Sequence, residues 1–164
     1  MALTASVPSA PLLVPARPED LPALLALLSE AFRNYVRALG RAEPGPYPWL
    51  PAAIAEGRVR CVYEGGAPVA VVVTSEDRAE GTVTIDILAV DPSRSRKGLG
   101  SLILAEVEVS ARSAGFRTLR LHTLAACFPL VALYSRHGFV ATRIGPHPDG
   151  RDDYPRLFMA KAIA

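Results

Sequence analysis

The chain has 164 residues, enough for one sizeable core and too few for two ordinary domains, and with 50% hydrophobic and 21% charged residues it is not a disordered chain. A formal net charge of +2, with Lys and Arg scattered and no aromatic residues interleaved among them, gives no basis for a nucleic-acid partner. Cys61 and Cys127 lie far apart with no CxxC or Cys/His spacing, so no metal is expected, and neither a signal peptide nor a membrane span is visible, which leads to the expectation of a cytoplasmic protein with reduced thiols.

Residues 1–10 read as a ragged tail ahead of a single domain over residues 11–164. Leu12, Leu13 and Val14 predict a short strand ended by Pro15. A helix follows: Pro18 and Pro22 fit only in or before its first turn, and Glu19 and Asp20 suit the positive end of its dipole. Leu21, Leu24, Leu25, Leu28 and Phe32 repeat at helical spacing and form its core stripe. Residues 40–51 are dense in Pro and Gly beside Tyr47 and Trp49, an irregular loop able to wall a pocket, and a short helix follows near residues 52–56. The runs RVRCVYE, APVAVVVTSE and TVTIDILAV, separated by Gly65-Gly66 and by a polar turn around residues 77–81, predict a three-stranded antiparallel meander. After SRSRKG a helix spans about residues 98–114, with Leu99, Leu102, Ile103, Val107 and Ala111 on its apolar side and Glu108 placed to pair with Arg112. Gly115 ends it. RTLRLHT makes a strand, residues 128–137 a helix, and residues 139–144 and 156–161 a final strand pair. No internal repeat is present.

This order of elements is an α+β layer structure with a strand, glycine turn and helix unit at its middle. A helix N-terminus presents N–H groups without intrahelical partners, and its dipole favours an anion. Gly98 and Gly100 keep side chains away from those amides, while Arg94, Arg96 and Lys97 add positive charge suited to a phosphate. A plain strand-to-helix turn would use the same glycines. Neither the dinucleotide fingerprint nor the P-loop is present, because both need a glycine where the chain has Ile103.

Three runs carry a family resemblance. LAVDPSRSRKGLGSLIL followed by LYSRHGF resembles the acetyl-CoA motif and the late Leu-Tyr-x-x-x-Gly-Phe motif of the GNAT superfamily N-acetyltransferases, and ARPEDLPALLALLSEAF is similar to the first helix of that family. The resemblance extends over about residues 12–161. It implies a mixed, mostly antiparallel central sheet with helices on both faces and a splayed pair of middle strands. It also implies acetyl-CoA as acyl donor, with backbone groups near Leu88 and Val90 pairing with the pantetheine arm and the amides of Arg96, Lys97, Gly98, Leu99, Gly100 and Ser101 holding the pyrophosphate. Tyr134 takes the position of the family's general acid, which protonates the departing thiolate. A half-buried helix aromatic with its hydroxyl at the surface is the other reading of Tyr134.

The attacking amine must lose a proton, and Asp86, the one acidic residue in its strand, is the candidate base; strict alternation places it on the face of Thr84 and Leu88. It could equally be a solvent-facing residue or an arginine partner. Glu30, Asp149, Asp152 and Asp153 are further carboxylates able to recognise a cationic amine, and the Tyr47-Trp49 and HPDGRDDYP loops would wall the acceptor pocket. Three positions depart from the family pattern: Ser95 and Arg96 before the glycines, and Cys127 where an Asn is frequent. Cys127 reads as an inert small residue, with a reactive thiol as the alternative, and His122 and His137 as structural or surface groups rather than bases. The expected activity is acetyl transfer from acetyl-CoA to a primary amine of a small molecule or peptide by direct attack in a ternary complex, with no membrane association and with a homodimer plausible for the family type. A non-catalytic acyl-CoA-binding or interaction module on the same fold is the alternative.

Overall fold

A computed structural model describes residues 13–40, 43–95 and 98–164; the expected tail, Leu12, Arg96 and Lys97 lie outside the described residues. The first strand is reduced to β1 (Val14–Pro15). Pro18 and Pro22 sit where proline is tolerated, in a 3-10 turn (Pro18–Asp20) and in the first turn of α1 (Leu21–Ala38). Asp20 fastens this entry: its carboxylate accepts from the backbone N–H of Arg17 at 3.0 Å and from the Tyr63 hydroxyl at 2.6 Å. Bonding from the Arg17 side chain, ahead of all other causes, holds this carboxyl below its ordinary range. The elements α2 (Leu50–Ala55), β2 (Val59–Glu64), β3 (Ala67–Asp77), β4 (Thr82–Val90), α3 (Leu99–Ser113), β5 (Thr118–Leu124), α4 (Phe128–Arg136), β6 (Val140–Gly145) and β7 (Arg156–Ala162) complete the expected order.

The strands form one sheet in the order β1-β2-β3-β4-β5-β7-β6, antiparallel throughout except for the parallel pair β4-β5. One face carries α1 and α2, with Leu24, Leu28, Leu50 and Ala53 packed on Val59, Val71 and Val73. The other carries α3 and α4, with Ile103, Val107 and Tyr134 packed on Val72, Ile85 and Leu121. The fold is therefore the mixed, mostly antiparallel α+β sheet, covered on both sides, that the sequence predicts. Two apolar stripes are corrected. Leu25 is 37% exposed and Leu102 39% exposed, whereas Leu27 and Leu104 are buried, because each buried face is centred one residue away from these leucines and 100° of helical turn carries them to its rim. The Glu108–Arg112 pair forms, and Lys161 of β7 joins it.

Two irregularities of β4 position everything that follows. Its pairing with β5 runs only from Thr82↔Thr118 to Thr84↔Arg120, after which the two strands continue unpaired and the expected splay opens. Against β3, Val73 faces Ile87 while Thr74 faces Ile85, so Asp86 is the extra residue of a β-bulge.

Candidate active site

A groove of about 330 Å³ lies where the splay meets the start of α3, and Phe32, Leu88, Val90, Gly100, Ser101 and Tyr134 are among its lining residues. Its floor at the helix end is a turn that only glycine makes easily: Gly98 is the N-cap of α3 with φ of +74°, in the left-handed region, and among the described residues no side chain caps the helix there. The first-turn N–H groups of α3 are thus left for an anion. Leu99 turns its side chain into the core and can offer only its backbone, while the Ser101 hydroxyl is 2.9 Å from Nε2 of His137. Arg94 does not join a free basic cluster, since its guanidinium is committed to the carboxylates of Glu64 and Asp91.

Tyr134 is 6% exposed, not a surface aromatic, and its ring packs edge-on against Phe139 at 6.0 Å between centroids. Burial, with a smaller contribution from Cys127, pushes its hydroxyl up to about 12, so the phenol is protonated at neutral pH. Cys127 is the N-cap residue of α4, half-buried, with Sγ in contact with the Tyr35 hydroxyl of α1.

On the α1 side of the same splay a larger cavity, of about 580 Å³, has Trp49, Arg58, Thr84, Asp86, Arg120, His122, Arg143, His147, Asp149, Arg151 and Phe158 among its lining residues. Asp86 accepts from Ser75 Oγ at 3.2 Å and lies 3.7 Å from Arg58, with 35% of its side chain exposed. Burial is the main cause lifting its carboxyl above the ordinary range, helped by the charge of Asp149 and opposed by Ser75 and Arg58. The face expected for Asp86 is corrected. It shares the cavity with Thr84, but Leu88 lines the groove, because the bulge reverses the alternation after Asp86.

Of the other carboxylates, Asp149 lines this cavity; Glu30 pairs with Arg33 on the surface, and Asp152 is bound to Arg156 at 2.9 Å with both side chains 9% exposed. Asp153 is exposed. Trp49 and the loop of His147 and Asp149 wall the cavity as expected, with Tyr47 edge-on to Trp49 at 6.0 Å. A smaller pocket of about 190 Å³ has Phe32 and Tyr35 in common with the groove and Ile87, His122 and His147 in common with the cavity. Sequence reasoning missed Tyr35, Arg120 and Arg143. For Arg120 a signal existed: it alternates with His122 in RTLRLHT on the face opposite Leu119 and Leu121.

The structure therefore has an uncapped helix start beside a protonated phenol in a groove lined by Leu88 and Val90 of β4, and a polar cavity holding a carboxylate lined by Thr84 and Asp86 of the same strand. In comparisons with known proteins, the model of the Acetyltransferase (GNAT) family matches residues 21–139. The chain is similar in structure to an N-acetyltransferase from Staphylococcus aureus Mu50, at TM-score 0.73 and 21% identity over 95% of this chain and 100% of that one. It is similar to the ribosomal-protein-S18-alanine N-acetyltransferase of Escherichia coli, at 0.70 and 23% over 94% and 95%. A third likeness, at 0.70 and 14% over 93% and 99%, is to the PaiA N-acetyltransferase of Thermoplasma acidophilum in complex with coenzyme A. No curated protein sequence matches.

Proposed function

Since the chain belongs to the GNAT acetyltransferase family, we propose that it is an N-acetyltransferase that moves the acetyl group of acetyl-CoA to a primary amine of a small molecule or peptide. The observation that supports this reading is the splay of β4 from β5, with Tyr134 lining the groove that Leu88 and Val90 also line and Asp86 lining the large cavity beside Thr84. The coenzyme A bound to the T. acidophilum protein and the alanine acceptor named for the E. coli protein support the same assignment.

Acetyl-CoA supplies an activated acyl carbon. The uncapped start of α3, from Gly98 to Ser101, is suited to hold its pyrophosphate, and the unpaired edge of β4 near Leu88 and Val90 to hold its amide-bearing arm as an added strand. Arg96 and Lys97 belong to the same proposed contact. As the amine nitrogen bonds to the acyl carbon and the carbon–sulfur bond breaks, the Tyr134 hydroxyl gives its proton to the leaving sulfur, and Asp86 takes the amine's proton directly or through water. The lifted carboxyl of Asp86 makes it a stronger base than an ordinary aspartate.

Thermal unfolding with and without acetyl-CoA tests the donor site, with ATP and NAD as controls. At about 100 times its dissociation constant a ligand specific for the folded state adds about 2.7 kcal/mol, a rise of several degrees for a chain of this size. A shift with acetyl-CoA alone followed by release of CoA on adding amines supports the enzyme. A shift without turnover of any amine supports the non-catalytic acyl-CoA-binding alternative, and no shift overturns both.

A further inference from the structure

We propose that the acceptor amine carries an anionic group, a carboxylate or a phosphate, which the arginines of the large cavity recognise; this deepens the acetyltransferase reading above and rests on it. The lining holds four arginines, Arg58, Arg120, Arg143 and Arg151, against two carboxylates, Asp86 and Asp149. Arg58 is already committed, bonded to Glu56 at 2.7 Å and lying beside Asp86. Among the described residues no carboxylate forms an ion pair with Arg120, Arg143 or Arg151. Their charges converge on one concave space from three different places: Arg120 from β5, Arg143 from β6, and Arg151 from the loop before β7.

The arrangement is ordered with respect to the proposed chemistry. Arg120 stands opposite Thr84 at the last paired position of β4 and β5, at the mouth of the splay and two residues along from the Asp86 bulge. Arg143 is held with its guanidinium 3.6 Å from the centre of the Phe158 ring, which fixes its plane while leaving its N–H groups for a ligand. The two histidines of the cavity are held towards their neutral form, so the positive charge of the lining is that of its arginines. Both are held below their ordinary range, chiefly by burial, with Arg156 adding to it in each case. Nδ1 of His122, a residue of the same wall, is buried and has no hydrogen-bond partner among the described residues.

A cavity with this excess of fixed cations repels a diamine or a polyamine and favours a molecule whose amine sits near Asp86 and whose anion sits among the arginines. Arginine forks match carboxylate and phosphate oxygens in pairs, which gives orientation as well as attraction. The cavity volume of about 580 Å³ suits an amino acid or a dipeptide in size.

The test compares matched acceptors by CoA release: alanine and phenylalanine against their amides, O-phosphoethanolamine against ethanolamine, and putrescine as the purely cationic case. Rates are expressed per free amine, because an amide's amine is less basic than that of the acid. The expected result is a kcat/KM at least about tenfold higher for the anionic member of a pair, the effect of one charged hydrogen bond. That preference should fall to within about twofold in Arg120→Gln and Arg151→Gln, with most of the change in KM. The pair with the larger preference identifies the anion as carboxylate or phosphate. Equal or faster acetylation of the amides, ethanolamine or putrescine overturns the proposal while leaving acetyl transfer intact. If no amine is acetylated the functional reading fails by itself, and the anion site is then decided by calorimetric titration with N-acetylalanine and N-acetylalaninamide. Binding of the acid alone, lost in Arg120→Gln, sustains the site; absence of binding by the acid overturns it.

Discussion

The two glycines at the start of α3 make opposite demands, and replacing each by alanine separates the fold's requirement from the ligand's. Gly98 has φ of +74°, and a Cβ built on it meets nothing within 4 Å, so Gly98→Ala suffers no clash and pays only for the left-handed backbone. That costs about 1–2 kcal/mol, or about 2–8 °C in midpoint for a chain of this size, and Gly98→Asn should lose less because Asn tolerates this region. Gly100 lies in the first turn of the helix, where a Cβ would stand 3.8 Å from Cδ2 of Leu133, an ordinary contact. Gly100→Ala therefore gains helix propensity, about 0.5 kcal/mol at this terminal position and about 1–2 °C. The added methyl nevertheless enters the groove where the pyrophosphate is proposed to bind, so acetyl-CoA affinity should fall about tenfold, equivalent to about 1.4 kcal/mol. Scanning calorimetry of the ligand-free proteins and isothermal titration with acetyl-CoA read the two effects separately. Wild-type affinity in Gly100→Ala would refute the placement of the pyrophosphate at this turn, and an unchanged midpoint in Gly98→Ala would refute the backbone argument.

Tyr134→Phe keeps the packing against Phe139 and removes the proton donor, so kcat should fall about 10²-fold while acetyl-CoA affinity holds; equal turnover in the variant would deny the hydroxyl any catalytic role. Asp86→Asn should abolish the acidic limb of the kcat/KM profile, a limb that in the wild type lies above the ordinary carboxyl range because burial raises this group; a limb that persists assigns the base elsewhere. His122 is lowered to about 4 from an ordinary 6.5, so below pH 6.5 the unfolded chain takes up a proton that the folded one refuses. Stability attributable to this residue is complete above pH 6.5 and is lost as the pH falls towards 4, by about 3 kcal/mol in all. His122→Asn should flatten the midpoint-against-pH curve over that interval, and a curve parallel to the wild type would show that His122 titrates normally.

The fold was readable because its signals are local and periodic. The alternating runs ending at Gly65-Gly66 and around Gly81 return as β2, β3 and β4 to within a residue or two at each end, and Gly115 closes α3 through its positive φ. Burial at single positions was less readable: Leu25 and Leu102 have the right residue type at the rim of a stripe, and only the partner helix or sheet decides where the stripe is centred. Of the candidate site, the turn at Gly98 and the aromatic in LYSRHGF were visible as contiguous motifs. Arg120, Arg143 and Arg151 were not, because they come together only through the pairing of β5 with β7 and of β7 with β6. Nor could charge counting separate Asp149, which lines the cavity, from Asp152, three residues on and neutralised by Arg156.

The least readable feature is also the one on which the site depends. Along β4, Val83 and Ile85 face α3, and strict alternation would send Ile87 and Ala89 after them. Instead Ile87 and Ala89 join the core under α1, while Leu88 and Val90 return to the α3 side, and the exchange occurs at the single extra residue, Asp86. One strand thereby presents Leu88 and Val90 to the groove and Thr84, Asp86 and Ile87 to the large cavity, with the change of face falling beyond the last β4-β5 pair. A continuous strand paired to its end would close the gap and leave a charged side chain in the middle of a regular ladder. The run TIDILAV shows no Gly or Pro to announce the bulge; its one signal is an acid among apolar residues, placed where the strand needs neither a regular partner nor a dry environment.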